Sequence, residues 1–286
     1  MITRRCTQRQ FLLKPSRRTN HLVRYCLAVA ASKTGVLLHA VCVMSNHWHG
    51  VVTDPFGRLP EFLEYFHRTL ARSQNAALGR WENLWSSDKT SVVVLVSDAD
   101  VLEKMAYTIA NPTAAGLVRS PREWPGVITH RVCESASVDM PDVFFDPAGS
   151  MPEKLKLELT RPPIYPHLDL PTLARHLANA VERLVREARI RMAEQGRKFL
   201  GSKSVLQQDF DTAPQTTEPR RNPNPRIAAA HAPERVQAIR HLVQFLRDYR
   251  AAWQAWRAGK REVTFPAGTY ALRIHARVAC VPACPA

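Results

Sequence analysis

Residues 36–44 are an almost unbroken apolar run, and residues 47–53 are a second, with only Ser45 and Asn46 between them. Strands joined by so short a link have no room for a crossover, so they lie side by side and antiparallel. This one hairpin commits the chain to a sheet, and its apolar density places that sheet inside the molecule. Helical spacing flanks it. Leu22, Val23, Cys26, Leu27, Ala30 and Ala31 line one side of residues 20–32, with Gly35 placed to end the helix. Residues 60–78 repeat the period, with Leu59, Phe62, Leu63, Phe66, Leu70 and Ala71 on one side.

Residues 2–6 and 11–13 are short strand candidates, and 91–97 read as a buried strand. Asp98 is placed to N-cap a helix reaching about Ala110. The resulting order is strand–helix–strand–strand–helix–strand–helix. It predicts an α+β fold, a ferredoxin-like antiparallel sheet with helices on one face, followed by a largely helical C-terminal extension. Residues 1–135 form the first expected domain, 136–170 a proline-bearing linker or irregular segment, and 171–286 a basic extension. Within the extension, 173–199 is an amphipathic helix with Leu173, Leu177, Val181, Leu184 and Ala188 on its buried stripe. Residues 209–231 read as a connector, 233–256 as a last helix, and 263–265 with 270–274 as a short strand pair.

Charge narrows the function. Lys and Arg total 40 against 25 Asp and Glu, a formal net charge of +15. That excess suits a polyanionic partner, because each cation laid on a phosphate releases a condensed counterion. The six cysteines (Cys6, Cys26, Cys42, Cys133, Cys280 and Cys284) are scattered and include no Cys-x-x-Cys pair. A zinc ribbon or disulfide framework is therefore poorly supported. The first residues lead into polar sequence rather than an apolar signal core, and no apolar run nears the roughly 18 residues of a membrane span. A cytoplasmic protein with no membrane contact is expected.

Two short motifs carry chemistry. In Met44-Ser45-Asn46-His47-Trp48-His49, alternate side chains of a strand share a face, so His47 and His49 point together and Trp48 points away. Paired imidazoles on one strand can hold a divalent ion. In Tyr107-Thr108-Ile109-Ala110-Asn111-Pro112, Tyr107 and Asn111 stand one helical turn apart, and Pro112 is expected to end the helix. Together these residues suit phosphodiester cleavage: a phenol nucleophile, a metal on His47 and His49, and Asn111 as a third ligand. A covalent tyrosine intermediate keeps the bond energy, so a strand can be rejoined without ATP.

These motifs, followed by Ala115-Gly116-Leu117-Val118 and Trp124-Pro125, resemble the IS200-like single-tyrosine transposases. The likeness is to the group associated with repetitive extragenic palindromes, and it spans roughly residues 1–129. It implies a ferredoxin-like enzyme that cleaves and rejoins single-stranded or hairpin DNA with Mg2+ or Mn2+, as a monomer or homodimer. By that resemblance His47, His49 and Asn111 hold the metal and Tyr107 is the nucleophile. The chain departs from the pattern where Trp124-Pro125 runs into Gly126-Val127 rather than serines, and in its long extension. Arg183, Arg186, Arg189, Lys198, Lys203, Arg220 and Arg221 in that extension are candidates to grip a DNA duplex or hairpin stem. Two other functions fit the same charge: a domesticated protein that binds structured repeats without cutting them, and an RNA-binding protein.

Overall fold

The computed structural model describes residues 1–144, 151–216 and 226–282. Strand β1 (Ile2–Arg5) leads into helix α1 (Arg17–Thr34), and the expected hairpin follows as β2 (Leu37–Met44) and β3 (His47–Thr53). Next come α2 (Leu59–Leu78), two-residue strands β4 (Ser91–Val92) and β5 (Val94–Leu95), and α3 (Asp98–Ala114). Then β6 (Glu134–Asp139) and β7 (Lys154–Leu159) precede α4 (Leu170–Glu194) and α5 (Ser202–Gln207). The chain closes with β8 (Ile227–Ala228), α6 (Ala232–Arg257) and α7 (Ala271–His275). No helix among the described residues is long and apolar enough to cross a membrane.

The fold is α+β, built on a mixed six-stranded sheet in the order β4-β1-β3-β2-β7-β6. All neighbours are antiparallel except β2 and β7. A bulge between Leu38 and Ala40 shifts the register of β2 and resets its alternation. Val41, Val43 and Trp48 face α1 and α2 with Leu22, Phe62, Phe66 and Leu70. Ala40 and Val51 face the other way, against Met105, Ala106 and Ile109 of α3 and Leu173 and Leu177 of α4. Helices on one face were expected, and α1 and α2 obey that. Helix α3 lies on the opposite face because Ala106 and Ile109 need the apolar surface that the pleat turns that way.

Several expected elements change. Residues 11–13 form a turn. The apolar run 91–97 splits at Val93, whose N–H bonds to Met1, so β4 extends the main sheet while β5 pairs with β8. The 136–170 segment is not a plain linker: β6 and β7 form a six-pair hairpin that widens the sheet. Helix α4 ends at Glu194, short of the expected Phe199, with Gly196 in a left-handed conformation just beyond. The final strand pair is replaced by helix α7 and an isolated bridge from Phe265 to Cys280.

Helix α3 is tied down at both ends. Ser97, not Asp98, is its N-cap, and Ser97 and Asp100 form a reciprocal capping box. Asp100 Oδ1 also accepts from the Ala230 N–H at 2.8 Å, so the extension reaches back to this end. Pro112 does not stop the helix, which runs on to Ala114. A proline in the last turn removes only its own N–H, and the stop comes at Gly116, at φ +75°. There the Gly116 N–H bonds to Thr113 and the Leu117 N–H to Pro112, the paired pattern of a glycine C-cap. The last turn of α4 and the residues after it hold this end as well. Leu200 and Gly201 donate to Gly116 and Leu117, and Arg191 donates to Ala114.

Two buried histidines make the fold acid-sensitive. His39 bonds Thr160 O through Nδ1 and Thr53 Oγ1 through Nε2, while His67 Nε2 accepts from the Trp48 indole. Burial lowers their pKa values from 6.5 to about 4 and about 3. Below 6.5 the unfolded chain takes protons that the folded chain refuses, so stability falls as pH drops through that window. We expect the urea midpoint to fall steadily from about pH 7 to about pH 4, and less steeply in His67→Gln. A midpoint flat over this range would mean that these imidazoles protonate at no cost.

Candidate active site

The register of three strands builds the site. Pairing sets Thr3 opposite His49 and Arg5 opposite His47, while His49 lies opposite Cys42 on its other side. His47 and His49 project from β3 toward α3, and their rings meet edge to face with centroids 4.8 Å apart. Trp48 points away into the α2 core and is fully buried. Helix α3 brings in Tyr107 and Asn111 one turn apart. The Tyr107 ring lies 5.6 Å from that of His49, and Asn111 Nδ2 is 3.3 Å from His49 Nε2. Tyr107 is 38% exposed, whereas His49 and Asn111 are buried, so the phenol faces solvent over a closed floor. Lys104, one turn earlier, places its ammonium 5.7 Å from the Tyr107 ring centroid.

Both imidazoles have their proton placed. His47 Nδ1 lies 2.7 Å from Asn46 Oδ1, which only accepts, so Nδ1 carries the hydrogen and Nε2 keeps its lone pair. His49 Nε2 lies 3.3 Å from Asn111 Nδ2 and Nδ1 lies 2.8 Å from Thr3 Oγ1; with the Asn111 amide donating, the ring hydrogen sits on Nδ1 and goes to Thr3 Oγ1. Burial keeps the rings neutral, with Arg5 and Arg9 helping at His47 and the His47 ring and Arg5 helping at His49. His47 is drawn down to about 4 and His49 well below its usual range.

Two neutral rings with free Nε2 atoms and second nitrogens held by oxygen acceptors are the usual preparation of histidine metal ligands. A half-turn of the Asn111 amide presents Oδ1 to the same point. Among the described residues no three His, Cys, Asp or Glu converge, so a cation here would rest on the two imidazoles and the Asn111 oxygen. Such a small donor set leaves positions open for substrate oxygens. The two imidazoles and the Asn111 oxygen suit a divalent ion in their donor chemistry.

The basic residues of the extension divide into two groups. Arg183 on α4 is paired with Glu103 at 2.5 Å and Glu187 at 3.1 Å. Arg189 donates to Arg119 O and lies 3.8 Å from Glu182. These two arginines stitch α4 to α3 and to the segment after it. Arg186, Lys198 and Lys203 are exposed and make no ion pair among the described residues. Arg220 and Arg221 lie outside the described residues.

Thr3 and the Asn46 side chain were not expected here. Thr3 reaches His49 only through the β1–β3 register, which no local pattern encodes, and its place between two strands marks Asn46 only as a turn residue. The Gly126 departure also has a local cause. A Cβ there would sit 2.5 Å from the Trp124 indole nitrogen, which is bonded to Val43 O. Glycine lets the chain fold back over its own tryptophan. Compared with family models, curated proteins and solved structures, the chain matches none.

Proposed function

We propose that the chain is a single-tyrosine DNA transposase, acting on single-stranded or hairpin DNA by cleavage and strand transfer. The observation that carries this reading is the meeting of Tyr107 and Asn111 with His47 and His49, on elements about 60 residues apart, at an exposed phenol. A net charge of +15 supports a nucleic-acid substrate. The strand order β4-β1-β3-β2, with α1 and α2 sharing one face, supports a ferredoxin-like unit on one side of the sheet.

In this mechanism Tyr107 Oη attacks the scissile phosphorus. The Oη–P bond forms as the P–O3′ bond breaks, the phenol proton passes to solvent, and the departing O3′ takes up a proton. The chain then holds the 5′ phosphate on Tyr107 and releases a 3′ hydroxyl. A second 3′ hydroxyl reverses the step: its oxygen bonds to phosphorus, the Oη–P bond breaks, and Tyr107 regains its proton. His47, His49 and Asn111 would hold Mg2+ or Mn2+, which supplies charge neutralisation on the phosphoryl oxygens. The buried floor excludes water on the protein side of the phosphate. Lys104 adds positive charge beside the nucleophile.

The test is covalent trapping on denaturing gels, with labelled hairpin oligonucleotides taken from repeats flanking the gene. An adduct formed with Mg2+ or Mn2+ and lost with chelator is expected. Tight binding with no adduct on any flanking substrate would leave a DNA-binding protein that does not cut.

Thr3 offers a second check that needs no turnover. Thr3→Val removes the acceptor that holds the His49 Nδ1–H, and Mn2+ affinity measured by calorimetry should fall about 10- to 100-fold. Thr3→Ser should restore it. Equal affinities in all three proteins would show that Thr3 does not orient His49.

A further inference from the structure

On the face of β1 turned away from His49, an open cavity of about 390 Å³ lies between the strand, α2 and the 85–90 loop, lined by Arg4, Glu64, His67, Arg68, Trp85 and Thr90. Its distinguishing member is Arg4. Two other partly exposed arginines pair with carboxylates, Arg58 with Glu61 and Arg183 with Glu103, while Arg191 and Arg273 donate to backbone carbonyls. Arg4 has no carboxylate partner among the described residues. Its polar partner is the Thr90 hydroxyl, 2.6 Å from Nη1. Its Nε is buried with no hydrogen-bond partner, and its guanidinium carbon lies 5.7 Å from the Trp85 ring centroid.

An unmatched guanidinium against an indole wall is an expensive arrangement. A buried donor left unpaired loses its hydration without replacement, and the loss is larger when the group is charged. Burial also draws the Arg4 pKa down, as expected for a cation short of an anion. Arg68 brings a second guanidinium to the rim, only loosely tied to Glu64 at 3.6 Å. Arg68 and Glu64 are more than half exposed, so their pairing is weak and readily exchanged. Leu63, Ala71 and Trp85 supply the apolar part of the wall.

We propose that this cavity is a phosphate subsite, separate from the Tyr107 site and on the opposite face of the sheet, in which Arg4 takes the anion and Arg68 closes over it. A guanidinium fork matches the oxygens of phosphate. The Thr90 hydroxyl, Arg4's present partner, is free to turn and donate its own hydrogen to the ligand. The phosphate can come from a nucleic-acid backbone or from free phosphate. Only the first source depends on the DNA reading given above.

The test uses the full chain and two probes, oligothymidylate and inorganic phosphate. For the first, affinity is measured across a salt series. Arg4→Gln should flatten the log–log slope by about 0.7, the loss of one single-strand phosphate contact, and Arg4→Lys should largely keep it. For the second, inorganic phosphate should raise the melting temperature of wild type and leave that of Arg4→Gln unmoved. Arg68→Gln, a surface change that spares the fold, should weaken both responses, so the outcome does not hang on Arg4 variants alone. A phosphate response without oligothymidylate binding would keep the subsite and remove the nucleic-acid function. Wild-type slopes in the Arg4 and Arg68 variants, together with no phosphate-dependent melting shift, would overturn the subsite.

Discussion

Tyr107→Phe should abolish covalent adduct formation while hairpin binding stays within about threefold of wild type. Removing a nucleophile that works in concert with its neighbours typically costs on the order of 10⁴- to 10⁶-fold in rate. The substitution deletes a single oxygen from a side chain that is 38% exposed and meets the His49 ring through its own ring, nearly perpendicular to it. Folding should therefore move by no more than about 0.5 kcal/mol. The contrast between lost adduct and kept affinity is what identifies a nucleophile. A variant that still forms the adduct would place the attacking oxygen elsewhere and dismantle the mechanism.

A chain cut after residue 135 should fail to unfold cooperatively in urea, although the sequence pattern marks that point as the end of a domain. The cut removes β7 from the side of β2, and it removes Tyr165, Leu173 and Leu177 from the cluster shared with Val51, Met105 and Ala106. Burying each large apolar side chain contributes about 1.5–3 kcal/mol. Losing three approaches the 5–15 kcal/mol that typically holds a whole domain together. A chain ending at residue 216 keeps these contacts and loses the pairing of β5 with β8. It should fold with a lower midpoint. If the 135-residue fragment melts sharply at the full-length midpoint, α4 is an appendage rather than part of the core.

The β2–β3 hairpin was legible because strand alternation is local. From it the shared direction of His47 and His49 followed, and helical spacing alone put Tyr107 and Asn111 on one face. What brought the two pairs together was not local. It depends on α3 crossing the far side of the sheet, which no helical stripe reveals when both faces of a strand are apolar. The β6–β7 hairpin was missed for another reason. Lys154–Leu159 alternates strictly, KLKLEL, but the surrounding prolines made the whole segment read as irregular. Pro112 misled in a similar way, since its effect depends on how much helix remains beyond it. By charge alone the arginines of α4 are candidates for a DNA grip. Three of them, Arg183, Arg189 and Arg191, instead hold protein partners, a role set by Glu103, Arg119 and Ala114, all distant in sequence.

The helix that carries Tyr107 behaves like a beam resting on two supports, and residues 191–230 contribute to both. Ala230 steadies one end through Asp100, while Arg191, Leu200 and Gly201 brace the other at Ala114, Gly116 and Leu117. The aim of the phenol thus depends on residues more than 80 positions downstream. Selection acting on the extension, for whatever partner it meets, cannot loosen either support without also tilting the nucleophile. Changes in the two halves of this chain should consequently arise in matched pairs rather than independently.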